Sequence, residues 1–226
     1  MTKIVFTPKF ALFLFIFLAT NALYFWLKID PVDVSVSLDE SGPIETVQLA
    51  YLAGGALLFF AAAAATLSGT ERMFCIAMAM LGLVFFLREM EVDNAGPISA
   101  YLESRLLRTH EAIVVAAVIS FYLVFRWSLI GGVMSFVFSK SAWPFYVAAI
   151  LLLAGATFDI FHGSVPNQIK EEIFECSSYL TLLLIAGAIC YQQPGARIRS
   201  TSADFLMVVV TVSLFAGACW LTEQIP

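Results

Sequence analysis

Residues 46–67 read TVQLAYLAGGALLFFAAAAATL and contain no Asp, Glu, Lys, Arg or His. At about 1.5 Å of rise per residue, an α-helix over this run is about 33 Å long, enough to cross the roughly 30 Å hydrocarbon core of a bilayer. Comparable apolar runs lie near 10–28, 73–88, 111–126, 143–162, 172–191 and 203–222. The sequence therefore predicts an all-α fold: one polytopic transmembrane helical domain over residues 1–226, with about seven membrane-spanning helices.

Composition makes lipid the main solvent. Hydrophobic residues are 61% of the 226 and charged residues 13%, against about 25% charged in soluble globular domains; mean hydropathy is +0.90. A net charge of −5 without any cluster of Lys and Arg excludes a nucleic-acid-binding surface. Cys75, Cys176, Cys190 and Cys219 fall in or beside apolar runs and lack C-x-x-C spacing, so they read as small buried hydrophobes. The first run follows Lys3 and Lys9 and continues through Tyr24-Phe25-Trp26-Leu27, longer than the apolar core of a signal peptide. It is expected to be an uncleaved signal anchor.

Three shorter stretches fill the gaps. Residues 127–138 are apolar, contain Gly131-Gly132 and are too short to span, which predicts a re-entrant or interfacial segment. Residues 97–108 follow the turn signal Asn94-Ala-Gly-Pro97 and mix Ile98, Tyr101, Leu102, Leu106 and Leu107 with Arg105 and Arg108, the pattern of an interfacial amphipathic helix. Within 29–44, Val32, Val34 and Val36 alternate with Asp33, Ser35 and Ser37, which predicts an extended lid. Gly54-Gly55 and Ala61 to Ala65 supply small residues for close helix packing.

Basic residues in short loops set orientation. With the N-terminus cytoplasmic, Lys3, Lys9, Arg72, Arg126, Lys140, Arg197 and Arg199 lie inside, a majority of the 12 basic residues, and the C-terminus lies outside. Of the 17 acidic residues, all but Glu71 and Asp204 then fall on the outer side, together with His110 and His162. Compact loops and the lack of an organelle signal point to a bacterial inner membrane.

The polar groups sit at helix ends with spacings that put them on shared faces. Asp159 with His162, Glu172 with Glu175, and Glu45 with Gln48 are each three apart; Glu89 and Asp93 are four apart. Ionisable residues at the hydrocarbon edge are costly unless paired, hydrated or metal-bound, which makes them functional candidates. Imidazole and carboxylate together suit zinc, iron or manganese, and an open coordination position activates water. This predicts a divalent metal held by His110, Asp159, His162 and Glu175, with Glu89 or Glu172 as general base. The expected activity is a metal-dependent membrane hydrolase acting on a lipid or lipid-linked substrate at the outer leaflet.

Two further readings use the same residues. A proton- or cation-coupled transporter would load Glu89, Asp159 and Glu175, since carboxylate and histidine chains within membranes mark ion pathways. A structural subunit, bound to a membrane-protein partner or to a second copy, would use Arg88, Arg105, Arg108 and Lys170 to lock the helix ends by ion pairs. Ser177-Ser178 lacks a G-x-S-x-G context and reads as helix-packing hydroxyls. The plan is similar to that of small seven-helix membrane hydrolases of the ceramidase and progestin-receptor type, which place a metal at one end of a bundle. Their H-x-x-x-H pair on the last helix has no counterpart in 203–222, nor does that run hold a lysine for a retinal Schiff base, so no family is assigned.

Overall fold

The computed structural model describes residues 4–28, 43–66, 68–90, 105–160 and 165–192, and everything below concerns these. They form α1 Pro8–Lys28, α2 Pro43–Ala65, α3 Gly69–Glu89, α4 Arg105–Phe125, α5 Trp127–Val137, a 3-10 turn Lys140–Ala142, α6 Trp143–Ile160 and α7 Val165–Gln192. No strand occurs among them. All of these helices except α5 are long and apolar enough to cross a membrane, and the chain is a multi-pass membrane protein. Helices suit that solvent because each backbone N–H and C=O is satisfied within its own segment. The run 203–222 and the extended stretch expected within 29–42 lie outside the described residues.

Proline punctuates the starts. Pro8 and Pro43 open α1 and α2, and Pro144 and Pro166 sit second in α6 and α7, positions where a missing N–H costs nothing. All the spanning helices except α6 start earlier than their apolar runs, α3 and α7 among them. α3 begins at Gly69 because Ser68 is its N-cap: the Glu71 N–H donates to Ser68 Oγ at 3.4 Å. α7 begins at Val165, and its 28 residues give a rod of about 42 Å, longer than the hydrocarbon core by about 12 Å. Polar first turns, including Lys170, Glu171 and Glu172, take up that excess length. Residues 105–108 form the first turn of α4; the remainder of the expected interfacial helix, 97–104, is outside the described residues.

α7 is the central post, packed against α2, α6 and α1, while α3 packs on α2 and α5 on α3. Side-chain contacts fix the directions. Gln48 meets Glu172 and Gly55 approaches the Leu183 backbone, so α2 runs parallel to α7. Asn21 meets Ser177, Glu89 meets Tyr179 and Gly155 meets Glu175, so α1, α3 and α6 run the opposite way. Small residues allow the close approaches: a Cβ on Gly55 would lie 3.6 Å from Leu183 Cα, and one on Gly82 would lie 3.4 Å from Ala56 Cβ.

Outward faces carry Leu12, Phe15, Leu57, Val124, Phe125 and Ile150 in exposed positions, a surface that lipid tolerates and water does not. The α5 segment stays at one end of the bundle. Leu129 lies against Gly69, Gly132 against Thr70, and Phe136 against Phe74 at a centroid distance of 5.1 Å. Phe145 of α6 joins this aromatic group, 5.1 Å from Phe74 and 6.3 Å from Phe6. At the same end, Gln192 closes α7 against the N-terminal segment through paired bonds, Val5 N–H to Oε1 at 3.0 Å and Nε2 to the Val5 carbonyl at 3.2 Å.

Candidate functional site

Antiparallel packing brings the start of α2, the end of α3, the end of α6 and the start of α7 to the other end of the bundle. The sequence had placed polar groups at these termini. Glu89, the last residue of α3, accepts a hydrogen bond from the Tyr179 hydroxyl of α7 at 3.1 Å, and the Arg88 Nε lies 3.6 Å from the same carboxylate oxygen. Arg88 itself is mostly exposed, whereas Glu89 is largely covered. Glu172 accepts from the Gln48 amide at 2.8 Å, and that amide also reaches the Glu172 carbonyl at 3.4 Å. Gln48 is fully enclosed.

Glu175 lies one turn further along α7 and is 8% exposed. Its side chain fills the space left by Gly155 of α6: a Cβ there would come 2.9 Å from Glu175 Cγ and 3.3 Å from the Glu171 carbonyl oxygen. Glu175 feels the charges of Glu89, Glu172, Glu171 and Arg88, and Glu172 those of Glu89, Glu171 and Glu45. Thus Glu89, Glu172 and Glu175 come together at one end of the bundle. Lys170 caps the rim, its Nζ 5.4 Å from the Phe158 ring, which stacks on Phe174 at 5.6 Å.

A second polar layer lies deeper. Asn21 of α1, wholly enclosed, donates to Ser177 Oγ at 3.4 Å and accepts from the Tyr51 hydroxyl at 3.2 Å, joining α1, α2 and α7. Ser178 donates to the Ala148 carbonyl at 2.9 Å, tying α7 to α6, and Thr181 donates to the Ser177 carbonyl at 2.8 Å. Both serines therefore serve as packing hydroxyls. Beyond Thr181, α7 is apolar as far as Cys190. Polar groups thus reach from the acidic end to the middle of the bundle and stop.

The other expected site residues are placed differently. His110 is exposed on α4, a helix whose main packing among the described residues is against α5. Asp159 belongs to α6 and follows Gly155 by four residues, on the same helix face; its side chain and the whole of His162 lie outside the described residues. Among the described residues, no three of His, Cys, Asp and Glu gather closely enough to hold a metal ion.

Sequence reasoning passed over Tyr179, Asn21, Tyr51 and Gly155. Signals existed for two of them. Tyr179 continues the Glu172, Glu175 stripe at helical spacing, and Asn21 is an amide inside an otherwise apolar run. Neither a protein-family model, nor a curated protein, nor a solved structure matches the chain.

Proposed function

We propose that the chain is a cation- or proton-coupled membrane carrier whose loading site is the acidic end of the bundle. The carrying observation is Glu175: a buried carboxylate, beside two further glutamates, for which the described residues offer no hydrogen-bond donor. Carboxylates so placed within a membrane are expensive and mark ion sites. The buried layer Asn21, Tyr51, Ser177 and Thr181 supports the same reading, because it continues polar groups from the site to mid-bundle. Purified protein in proteoliposomes is expected to carry proton or Na⁺ flux, and Glu172→Gln is expected to reduce it severely. Absence of flux under every imposed proton, Na⁺ and K⁺ gradient would refute the carrier.

The finer topology belongs to the same proposal. The run 203–222 adds a seventh span, the N-terminus is cytoplasmic, the C-terminus is outside, and the membrane is a bacterial inner membrane. Reporter fusions after residues 90 and 226 should both report the outer side.

A second reading rests on the register of α6. Position 159 lies one turn beyond Gly155, on the face that abuts Glu175, which favours Asp159 as a companion of that carboxylate. With His110 and His162 they would form the ligand set for zinc, iron or manganese, with Glu89 or Glu172 as general base for hydrolysis of a lipid. Stoichiometric metal in purified protein, lost together with lipid hydrolysis in His162→Ala, would establish this version over the carrier. Neither flux nor metal, with a fixed copurifying partner, would point to a structural subunit.

A further inference from the structure

The short helix α5 has two opposite faces, and among the described residues only one of them is covered. At about 100° per residue, Leu129, Gly132 and Phe136 share one side, and these meet Gly69, Thr70 and Phe74 of α3. Trp127, Gly131 and Met134 share the other, in line with the C-cap residue Phe138. Trp127, Met134 and Phe138 are 68%, 44% and 76% exposed, and a Cβ on Gly131 would meet nothing within 4 Å. The packed face fixes the depth of α5. Its contacts fall on residues 69–74, the first turns of α3, so they cover about 7.5 Å of that helix. An interfacial helix sinks its apolar face by about 5–10 Å, the same depth.

Exposed charge at this end has one sign. Arg126 precedes α5, Lys140 follows it, and Lys9 stands in the first turn of α1; all three are exposed, and no described carboxylate pairs with them. Arg72 is exposed as well, its guanidinium partly held by the Ala63 and Thr66 carbonyls. The described acid here, Glu71, is 4% exposed and accepts from Thr66.

We propose that α5 is an anchor selective for anionic phospholipid, with Trp127, Met134 and Phe138 among the acyl chains nearest the glycerol and Arg126 and Lys140 on the headgroup phosphates. Trp suits that depth because its ring is apolar and its N–H polar. Arg and Lys reach the phosphates by laying their methylene stems along the apolar surface. A zwitterionic headgroup offers the same phosphate but brings its own cation beside Arg126 and Lys140, so headgroups of net negative charge are preferred. A second copy fits the face poorly. The 11 residues of α5 give a strip about 16 Å long and about 10 Å wide, about 160 Å², against about 800 Å² on each side of a stable interface. Pairing in either direction would also set cation against cation. The anchor does not depend on the carrier, whose loading site lies at the opposite end.

Full-length protein in mild detergent is titrated with phosphatidylglycerol or phosphatidylcholine of matched chains, and bound lipids are counted by native mass spectrometry. Phosphatidylglycerol should bind more tightly, and Arg126→Gln and Lys140→Gln should each weaken it by about fivefold. The double variant should lose most of the preference. Arg126→Lys, which keeps the charge, and Arg108→Gln, at the far end of α4, should preserve it. Phe138→Ser should weaken both lipids and leave their ratio alone. Equal binding of the two lipids by the wild type would overturn the proposal. So would a loss in Arg108→Gln as large as in Lys140→Gln, which would make the effect one of overall charge. A lipid-independent dimer that Phe138→Ser dissociates would overturn it too, by giving the face to a second copy.

Discussion

Glu71 and Glu175 are both buried glutamates in membrane-crossing helices, 4% and 8% exposed, at opposite ends of one bundle. Glu71 is settled by its own neighbourhood. The Thr66 hydroxyl donates to its carboxylate at 3.0 Å and its N–H is capped by Ser68. Arg72 closes the end of α2 through the Ala63 and Thr66 carbonyls at 3.3 and 2.9 Å. These contacts are local, within a tight α2–α3 turn, and an aromatic group of Phe6, Phe74, Phe136 and Phe145 packs around that end. Among the described residues, Glu175 accepts no hydrogen bond and lies in a glycine notch beside other acids and a mostly exposed arginine. A buried acid satisfied by its own turn stabilises the fold; one left without a donor is strained in a way that stability alone does not select. The first end is closed by its own turn, and the second is where the proposed carrier would load.

Substitutions can break this contrast. The largest effect is expected from Glu175→Gln, which keeps the shape and removes the charge: flux in proteoliposomes should fall to background while folding in detergent is unharmed. Retained flux would remove Glu175 from the working site. Next comes Gly155→Ala. Its methyl must displace the Glu175 side chain and crowd the Glu171 carbonyl, an overpacking cost of about 1–3 kcal/mol, read from reversible unfolding in mixed micelles.

Glu71→Ala reverses the pattern of Glu175→Gln. Losing the bond that its carboxylate accepts from the Thr66 hydroxyl should cost about 1–2 kcal/mol of stability, while the Ser68 cap on the backbone N–H remains, with flux per folded molecule unchanged. A flux defect there would mean that the closed end also takes part in transport. Smallest is Ser177→Ala, which removes one bond to Asn21. Interhelical hydrogen bonds in membranes average about 0.6 kcal/mol, so its unfolding midpoint should move only slightly.

The span pattern was legible because length and apolarity carry it. Residues 46–67 announce a membrane helix on their own, and the alternation of spans puts Glu45, Gln48, Glu89, Glu172 and Glu175 at one end without further information. Burial was not legible, for a physical reason: lipid tails and protein interior are equally apolar, so hydropathy cannot separate a core helix from a peripheral one. Among the described spans α1 has the highest mean hydropathy, 2.0, yet only 17% of its apolar window is buried, whereas α7 at 1.8 is 78% buried. His110 illustrates the consequence. Its place at the start of an apolar run made it look equivalent to Glu172, but α4 packs mainly on α5 and leaves its window wholly unburied.

Sequence alone determined that the chain is helical, lives in a membrane and gathers its acids at helix ends, because those properties follow from local runs and helical periodicity. Tertiary structure decided which acids differ. Gln48 is 124 residues from Glu172, and Tyr179 is 90 from Glu89; no local pattern links such pairs. Gly155 matters only because α6 crosses α7 at Glu175. Donor placement and a missing side chain, both products of helix packing, set Glu89 and Glu172, which each accept from a side-chain donor, apart from Glu175 in its glycine notch.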